Sequence, residues 1–335
     1  MKIQYIMTIL GTIKYVKNWW DVFLIYFEKK EKANIIFRSG FVIKGIRKKC
    51  FSYPCVLVSL GRIMKKYEVR QNRKEIIING VGIPINNLTP IPAYECFFDN
   101  GGTIHKEKGL LIAQLKNIRL ILPNETQGIR EFVEVFIQKG YDKYDFRNKT
   151  VLDIGGFIGD TAVFFALTGA KKVVVYEPNP ELYKIALKNI KLLHCKKKIE
   201  IYNLAVGDKN GKISLIIPTD YGSSTLYPSS LQKNKSFNTK KVNVNLISIS
   251  NIFNKIGVVD ILKMDCEGSE YPILEEILKK GLQDKIKEGI ILEAHNVDEK
   301  RNPKYAKELL VKLGFGKFDK VKHDYLQEVI TAYKQ

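Results

Sequence analysis

The chain is expected to fold as an α/β protein, a doubly wound and mostly parallel sheet preceded by a smaller α+β domain. Three observations carry this expectation. From Thr150 onward, short apolar runs alternate with helical stretches. A glycine-rich turn, Gly155-Gly156-Phe157-Ile158-Gly159, follows the first of those runs and opens the first helix. Residues before about 128 lack the alternation and place their short runs between turn signals. The domains are therefore expected at 1–127 and 128–335, and 335 residues of which 45% are hydrophobic can fill two modest cores.

In the N-terminal part, Ile13 to Phe27 reads as an apolar helix, and Ala33 to Ile43, Cys55 to Leu60 and Glu75 to Ile78 read as β-type runs. Lys44-Gly45, Asn79-Gly80 and Asn100-Gly101-Gly102 mark turns between elements, and Ser39-Gly40 splits the first run. Lys14, Lys17 and Asp21 interrupt the stretch Tyr5 to Phe27 before the roughly 20 apolar residues of a membrane span accumulate. No small-residue cleavage site follows its basic start, so a cytoplasmic location is expected and no transmembrane segment. Trp19 and Trp20 are expected to pack on a core or on the second domain.

In the C-terminal part, Val151, Leu152 and Ile154 form a buried parallel strand ending beside Asp153. Gly155, Gly156 and Gly159 let the backbone turn tightly and approach a ligand. The helix from Asp160 to Thr168 aims its free N–H groups at that turn. The strand Val173 to Tyr176 delivers Glu177, a carboxylate suited to accept both hydroxyl protons of a ribose. A dinucleotide site wants G-x-G-x-x-G, whereas this turn is D-x-G-G-x-x-G. Asp153 suits a cationic ligand better than a pyrophosphate, which selects S-adenosylmethionine over NAD. Three further strands follow at Ile199 to Leu204, Val258 to Met264 and Ile290 to Leu292. The loop carrying Asn203 and Ala205 is expected against the adenine, and Asp265 and Glu293 stand at the ends of the last two strands.

The segments VLDIGGFIGDTAVFFALTGAKKVVVYEPNP, NLAVGDKNG and ILKMDCEGSEYPIL, in this order, resemble the FkbM family of S-adenosylmethionine-dependent methyltransferases. The resemblance covers roughly Glu131 to Gln335 and implies a class I, Rossmann-like methyltransferase fold. It further implies methylation of a hydroxyl on a sugar, glycolipid or other natural-product scaffold. Gly156 stands where the family commonly has alanine, a change expected to be harmless. The family also has a small, hydroxyl-rich patch near Tyr221 to Leu226, so Ser223 and Ser224, with Glu293, are candidates for the acceptor side.

Parallel strands open their carboxyl ends on one side, which gathers Asp153, Glu177, Asp265, Glu267, Glu293 and His295 at one crevice. Glu270, in the first turn of its helix, is read as a cap. A sugar hydroxyl is a weak nucleophile, and His295, with an ordinary pKa of roughly 6.5, is the expected base, with Asp265 and Glu267 beside it. No metal is expected, although Asp265, Glu267 and Glu293 form an oxygen set that Mg²⁺ can use.

The formal charge is +20, from 55 Lys and Arg against 35 Asp and Glu, and it favours acidic partners such as sugar phosphates, anionic lipid surfaces or nucleic acid. The basic runs Arg47-Lys48-Lys49 and Lys196-Lys197-Lys198 lack interleaved aromatics for base stacking. Five cysteines without a C-x-x-C, and His105, His194 and His323 outside any ligand spacing, argue against zinc. Two other functions share the fold: a nicotinamide-dependent oxidoreductase, disfavoured by the turn, and a basic nucleic-acid-binding protein, disfavoured by the intact strand-end acids.

Overall fold

The computed structural model describes residues 10–50, 55–142, 144–218, 239–319, 322–323 and 327–334. The chain separates into two compact units, Met1–Gly140 and Tyr141–Gln335.

The first unit holds α1 (Trp19–Tyr26), β1 (Ala33–Ile36), β2 (Val42–Ile46), α2 (Cys55–Ile63), β3 (Val69–Gln71), β4 (Glu75–Ile78) and β5 (Val81–Pro84), then α3 (Ile91–Asp99), β6 (Thr103–Glu107), β7 (Leu110–Leu115), β8 (Ile118–Leu122) and α4 (Ile129–Phe132). β1 pairs with β2, and β3-β4-β5 and β6-β7-β8 are antiparallel meanders. Asn79 and Gly80, both at positive φ, close the β4–β5 hairpin in the handedness that matches strand twist. Cys55 to Leu60, expected as a β-type run, is instead helix α2. Its buried Val56, Leu57, Leu60 and Ile63 recur at helical spacing and pack on α3, so tertiary burial overrides the β propensity of valine. Phe132 of α4 meets Phe97 of α3 edge to face at 5.1 Å, which ties the segment after 128 to this unit. Trp20 is 53% exposed and stacks on Phe23, so it is not part of this unit's core.

The second unit is built on β9 (Thr150–Ile154), α5 (Asp160–Leu167), β10 (Lys172–Tyr176), α6 (Pro180–Leu192), β11 (Ile199–Tyr202), β12 (Ala205–Gly207), β13 (Gly211–Pro218) and β14 (Thr239–Ser248). It continues with α7 (Ile249–Ile256), β15 (Val259–Met264), α8 (Glu270–Lys279), β16 (Ile286–His295), α9 (Pro303–Lys312), β17 (Lys317–Phe318), β18 (Lys322–His323) and β19 (Gln327–Tyr333). The main sheet runs β11-β10-β9-β15-β16-β19-β17, parallel from β11 to β16, with β19 antiparallel to its neighbours. The chain leaves β9 toward β10 and β11 and returns on β9's other side as β15 and β16. Strand order therefore reverses beside β9, where a doubly wound sheet opens its ligand crevice.

Period-two alternation sorts the strand residues between the faces. Leu152, Ile154, Leu262, Met264, Ile290 and Leu292 join a core under α7, α8 and α9. Asp153 and Lys263 point to the opposite face, and they are direct cross-strand partners. The third strand ends at Tyr202 rather than Leu204, because Ala205–Gly207 leaves to pair with β14 in a separate three-stranded sheet, β12-β14-β13. β16 outruns its apolar centre: Ile286 pairs with Val259 of β15, and Glu293 to His295 pair with β19. No described helix is long and apolar enough to cross a membrane.

Candidate active site

The turn after β9 is shaped by contacts that forbid side chains. Gly155 lies at φ +87°, and a Cβ there would sit 1.7 Å from the Asp265 carbonyl oxygen. Its N–H and that of Gly156 both donate to the Tyr176 carbonyl, at 2.9 and 3.1 Å. Gly159, at φ +78°, caps α5 and packs on Ala186, where a Cβ would fall 3.3 Å away. At Gly156, where glycine in place of the family's alanine is expected to be harmless, a Cβ would meet Val175 Cγ1 at 2.2 Å, so this chain's packing has closed on the glycine.

Asp153 is fully buried, and its charge is already matched. Lys263 Nζ lies 3.0 Å from its Oδ1, Thr161 Oγ1 donates to its Oδ2 at 2.6 Å, and Lys263 Nζ also donates to the Gly155 carbonyl at 2.8 Å. Burial alone would lower the Lys263 ammonium's pKa, but Asp153 and Asp265 beside it hold it above the usual lysine value, so the lysine is charged. Asp153 thus anchors the turn through Lys263 instead of offering an unmatched charge to a cationic ligand.

Glu177 ends β10 with both oxygens engaged, Oε2 accepting from Phe157 N and Oε1 from Asn179 N, each at 2.8 Å. Burial pushes its carboxyl up to about 8, against the pull of those two N–H groups. Each oxygen keeps a further lone pair for a ribose hydroxyl. Asn203 donates to the main-chain carbonyls of Glu177 and Pro178 at 2.9 and 3.0 Å, which joins the ends of β10 and β11. The Ala205 side chain is buried with Leu215, Val244 and Leu246 in the small sheet. Ser223 and Ser224 lie outside the described residues.

The ends of β15 and β16 carry a dense acidic cluster. His295 Nδ1 lies 3.0 Å from Glu270 Oε1, and Glu270, fully buried, accepts N–H bonds from Cys266 and Gly268 at 2.9 and 2.8 Å. Glu270 is therefore more than a helix cap, because it fixes the orientation of the ring. On the other side Nε2 stands 3.4 Å from Glu267, 3.8 Å from Glu293 and 3.9 Å from Asp265. Glu267 is held in the left-handed region at φ +53°, a conformation that non-glycine residues adopt at a cost and that clusters at functional sites. Although burial pulls the other way, Glu267, Glu270 and Asp265 hold the imidazole's pKa well above the usual histidine value. A raised pKa counts against His295 as a base at neutral pH, and Asp265 and Glu267 stand within 4 Å of the same ring nitrogen. The residues that sequence reasoning missed are Lys263 and Thr161. The signal for the first was a lysine inside the apolar strand Ile261-Leu262-Lys263-Met264, where only a buried partner makes a charge tolerable.

A family model described as the methyltransferase FkbM domain matches residues 153–325, more than half of the chain and all of the strand-end residues just described. The chain belongs to the FkbM methyltransferase family. It is an S-adenosylmethionine-dependent methyltransferase, which removes the oxidoreductase reading. Among solved structures, the FkbM-family chain is similar to magnesium protoporphyrin IX methyltransferase from Synechocystis PCC 6803 with bound SAM. The identity is 11%, the coverage 61% of this chain and 77% of that one, and the TM-score 0.34. It is also similar to ribosomal protein L11 methylase from Lactobacillus delbrueckii subsp. bulgaricus, at 14% identity, 62% and 80% coverage, and a TM-score of 0.35. No curated protein matches it in sequence.

Proposed function

We propose that this FkbM-family enzyme methylates a hydroxyl oxygen of a sugar, glycolipid or related scaffold at the carboxyl ends of β9, β15 and β16. S-adenosylmethionine, when bound, supplies an electrophilic methyl group on a sulfonium. The residues present fit that cofactor: the glycines of the turn after β9 let it pack directly on Asp265, Val175 and Ala186 at the strand ends, and Glu177 keeps carboxylate lone pairs that suit ribose hydroxyls. Asp153, Lys263 and Thr161 keep the turn in place, and Asn203 locks Glu177's strand end beside it.

The observation that carries the hydroxyl assignment is the set of carboxylates, Asp265, Glu267 and Glu293, gathered within 4 Å of one imidazole. Such a set can accept an O–H hydrogen bond and then the proton itself, which a weakly acidic hydroxyl needs and a thiol does not. Alignment supplies most of the remaining rate enhancement. The net charge of +20 supports an acceptor bearing phosphate or carboxylate. The test is incubation of the full chain with S-adenosylmethionine and a panel of sugars, sugar phosphates and glycolipids, with products located by mass spectrometry and NMR. An O-methylated sugar supports the reading, and methylation confined to nitrogen or carbon acceptors overturns it.

A further inference from the structure

We propose that Asp265, Glu293 and His295 form a divalent-cation site at the ends of β15 and β16, with Glu267 as an additional oxygen ligand and Glu270 positioning the imidazole. One ligand atom from each of Asp265, Glu293 and His295 lies within 4.8 Å of the others. An acidic cluster alone implies no ion. Here an independent observation accompanies it: His295 is 6% exposed, and its Nε2 is buried without a hydrogen-bond partner while facing the three carboxylates. A buried polar atom left without a partner costs on the order of 1–3 kcal/mol, so its persistence points to a missing occupant. The other ring nitrogen is held by Glu270, itself pinned by two backbone N–H groups. Metal-bound imidazoles are oriented in this way, with a carboxylate on one nitrogen and the ion on the other.

Oxygen ligands with one nitrogen suit Mn²⁺ or Mg²⁺, and Zn²⁺ is the competing choice. The proposed role rests on the hydroxyl-methylation reading: an ion here would bind the acceptor oxygen and lower its pKa. The binding claim stands apart from that role.

The test titrates Mn²⁺ into the chelator-stripped full chain, following loss of the free-ion paramagnetic resonance signal, with Mg²⁺ and Zn²⁺ as parallel calorimetric probes. A single site should bind below about 1 mM, and Asp265→Asn, Glu293→Gln and Glu270→Gln should each weaken it about tenfold or more, the usual scale for a ligand or its positioning partner. Glu200→Gln, remote from the cluster, should leave it unchanged. Mn²⁺ should also broaden the ring resonances of His295 in the parent protein, a readout that needs no variant. Absence of binding by all three ions, or binding that is indifferent to the variants and leaves the ring resonances sharp, overturns the proposal. Assays in excess EDTA separate the claims: cofactor binding and O-methylation that persist without a bound ion overturn only the ion's role in lowering the acceptor pKa, whereas the Mn²⁺ titration decides the binding site.

Discussion

Replacing Lys263 by methionine tests the electrostatic arrangement beneath the cofactor turn. The side chain is nearly isosteric, so the perturbation is the loss of one charge and its hydrogen bond. Lys263 is 2% exposed and Asp153 fully buried, with contacts of 3.0 Å between them and 2.8 Å to the Gly155 carbonyl. Removing one partner of such a pair leaves a buried charge whose remaining partner is the Thr161 hydroxyl, and costs about 3–5 kcal/mol. The double variant Lys263→Met/Asp153→Asn removes both charges. It should lie 1–3 kcal/mol closer to the parent than the sum of the single variants, at the order of magnitude typical of coupled contacts. Urea unfolding followed by hydrogen exchange of the β9 and β15 amides reports the second unit without interference from the first. S-adenosylhomocysteine affinity should fall in the single variant, because the turn has lost its anchor. A cost below about 1 kcal/mol, or strict additivity in the double variant, refutes the claim that this pair supports the turn.

Glu177 makes stability and cofactor binding respond to pH. Its folded-state pKa is about 8 against 4.5 in the reference state, so between these values the native chain holds a proton that the unfolded chain releases. Stability from this group is present below about pH 4.5 and declines as pH rises through 8, a slope that Glu177→Gln should flatten in urea midpoints. Ribose hydroxyls prefer the ionised form, so S-adenosylhomocysteine affinity should rise from about pH 6 to 8 in the parent and stay level in Glu177→Gln. Gly156→Ala should destabilise by about 1–3 kcal/mol through the Val175 clash, and Val175→Ala should recover part of that loss in the double variant, as thermal unfolding would show. Gly155→Ala should abolish cofactor binding in any folded protein recovered, because its Cβ meets main chain that cannot move aside cheaply.

Much of the second unit was legible because parallel strands advertise themselves. The apolar runs at Val151, Val173 and Ile261, glycines at fixed offsets and acids at strand ends are local signals that survive into the fold. The same cannot be said of Cys55 to Leu60, whose valines read as strand until the partner helix is known. Nor is the departure of Ala205–Gly207 to a second sheet legible, since its partner β14 lies far along the chain. At the site, the sequence placed Asp265, Glu267, Glu293 and His295 together through strand topology alone. It could not supply their electrostatics. The upward pull on the His295 pKa depends on Glu267, Glu270 and Asp265 approaching one ring, and the pairing of Asp153 depends on register with Lys263, both of which are tertiary facts.

The central claim is that the turn after β9 and Glu177 hold S-adenosylmethionine, and calorimetry on the full chain tests it most directly. S-adenosylhomocysteine should bind with a single site per chain, NAD should not bind, and Glu177→Ala should weaken S-adenosylhomocysteine by roughly 1–3 kcal/mol, the scale of a charge-assisted hydrogen bond. Binding of NAD in place of S-adenosylhomocysteine, or an affinity for S-adenosylhomocysteine that does not change in Glu177→Ala, would contradict the account.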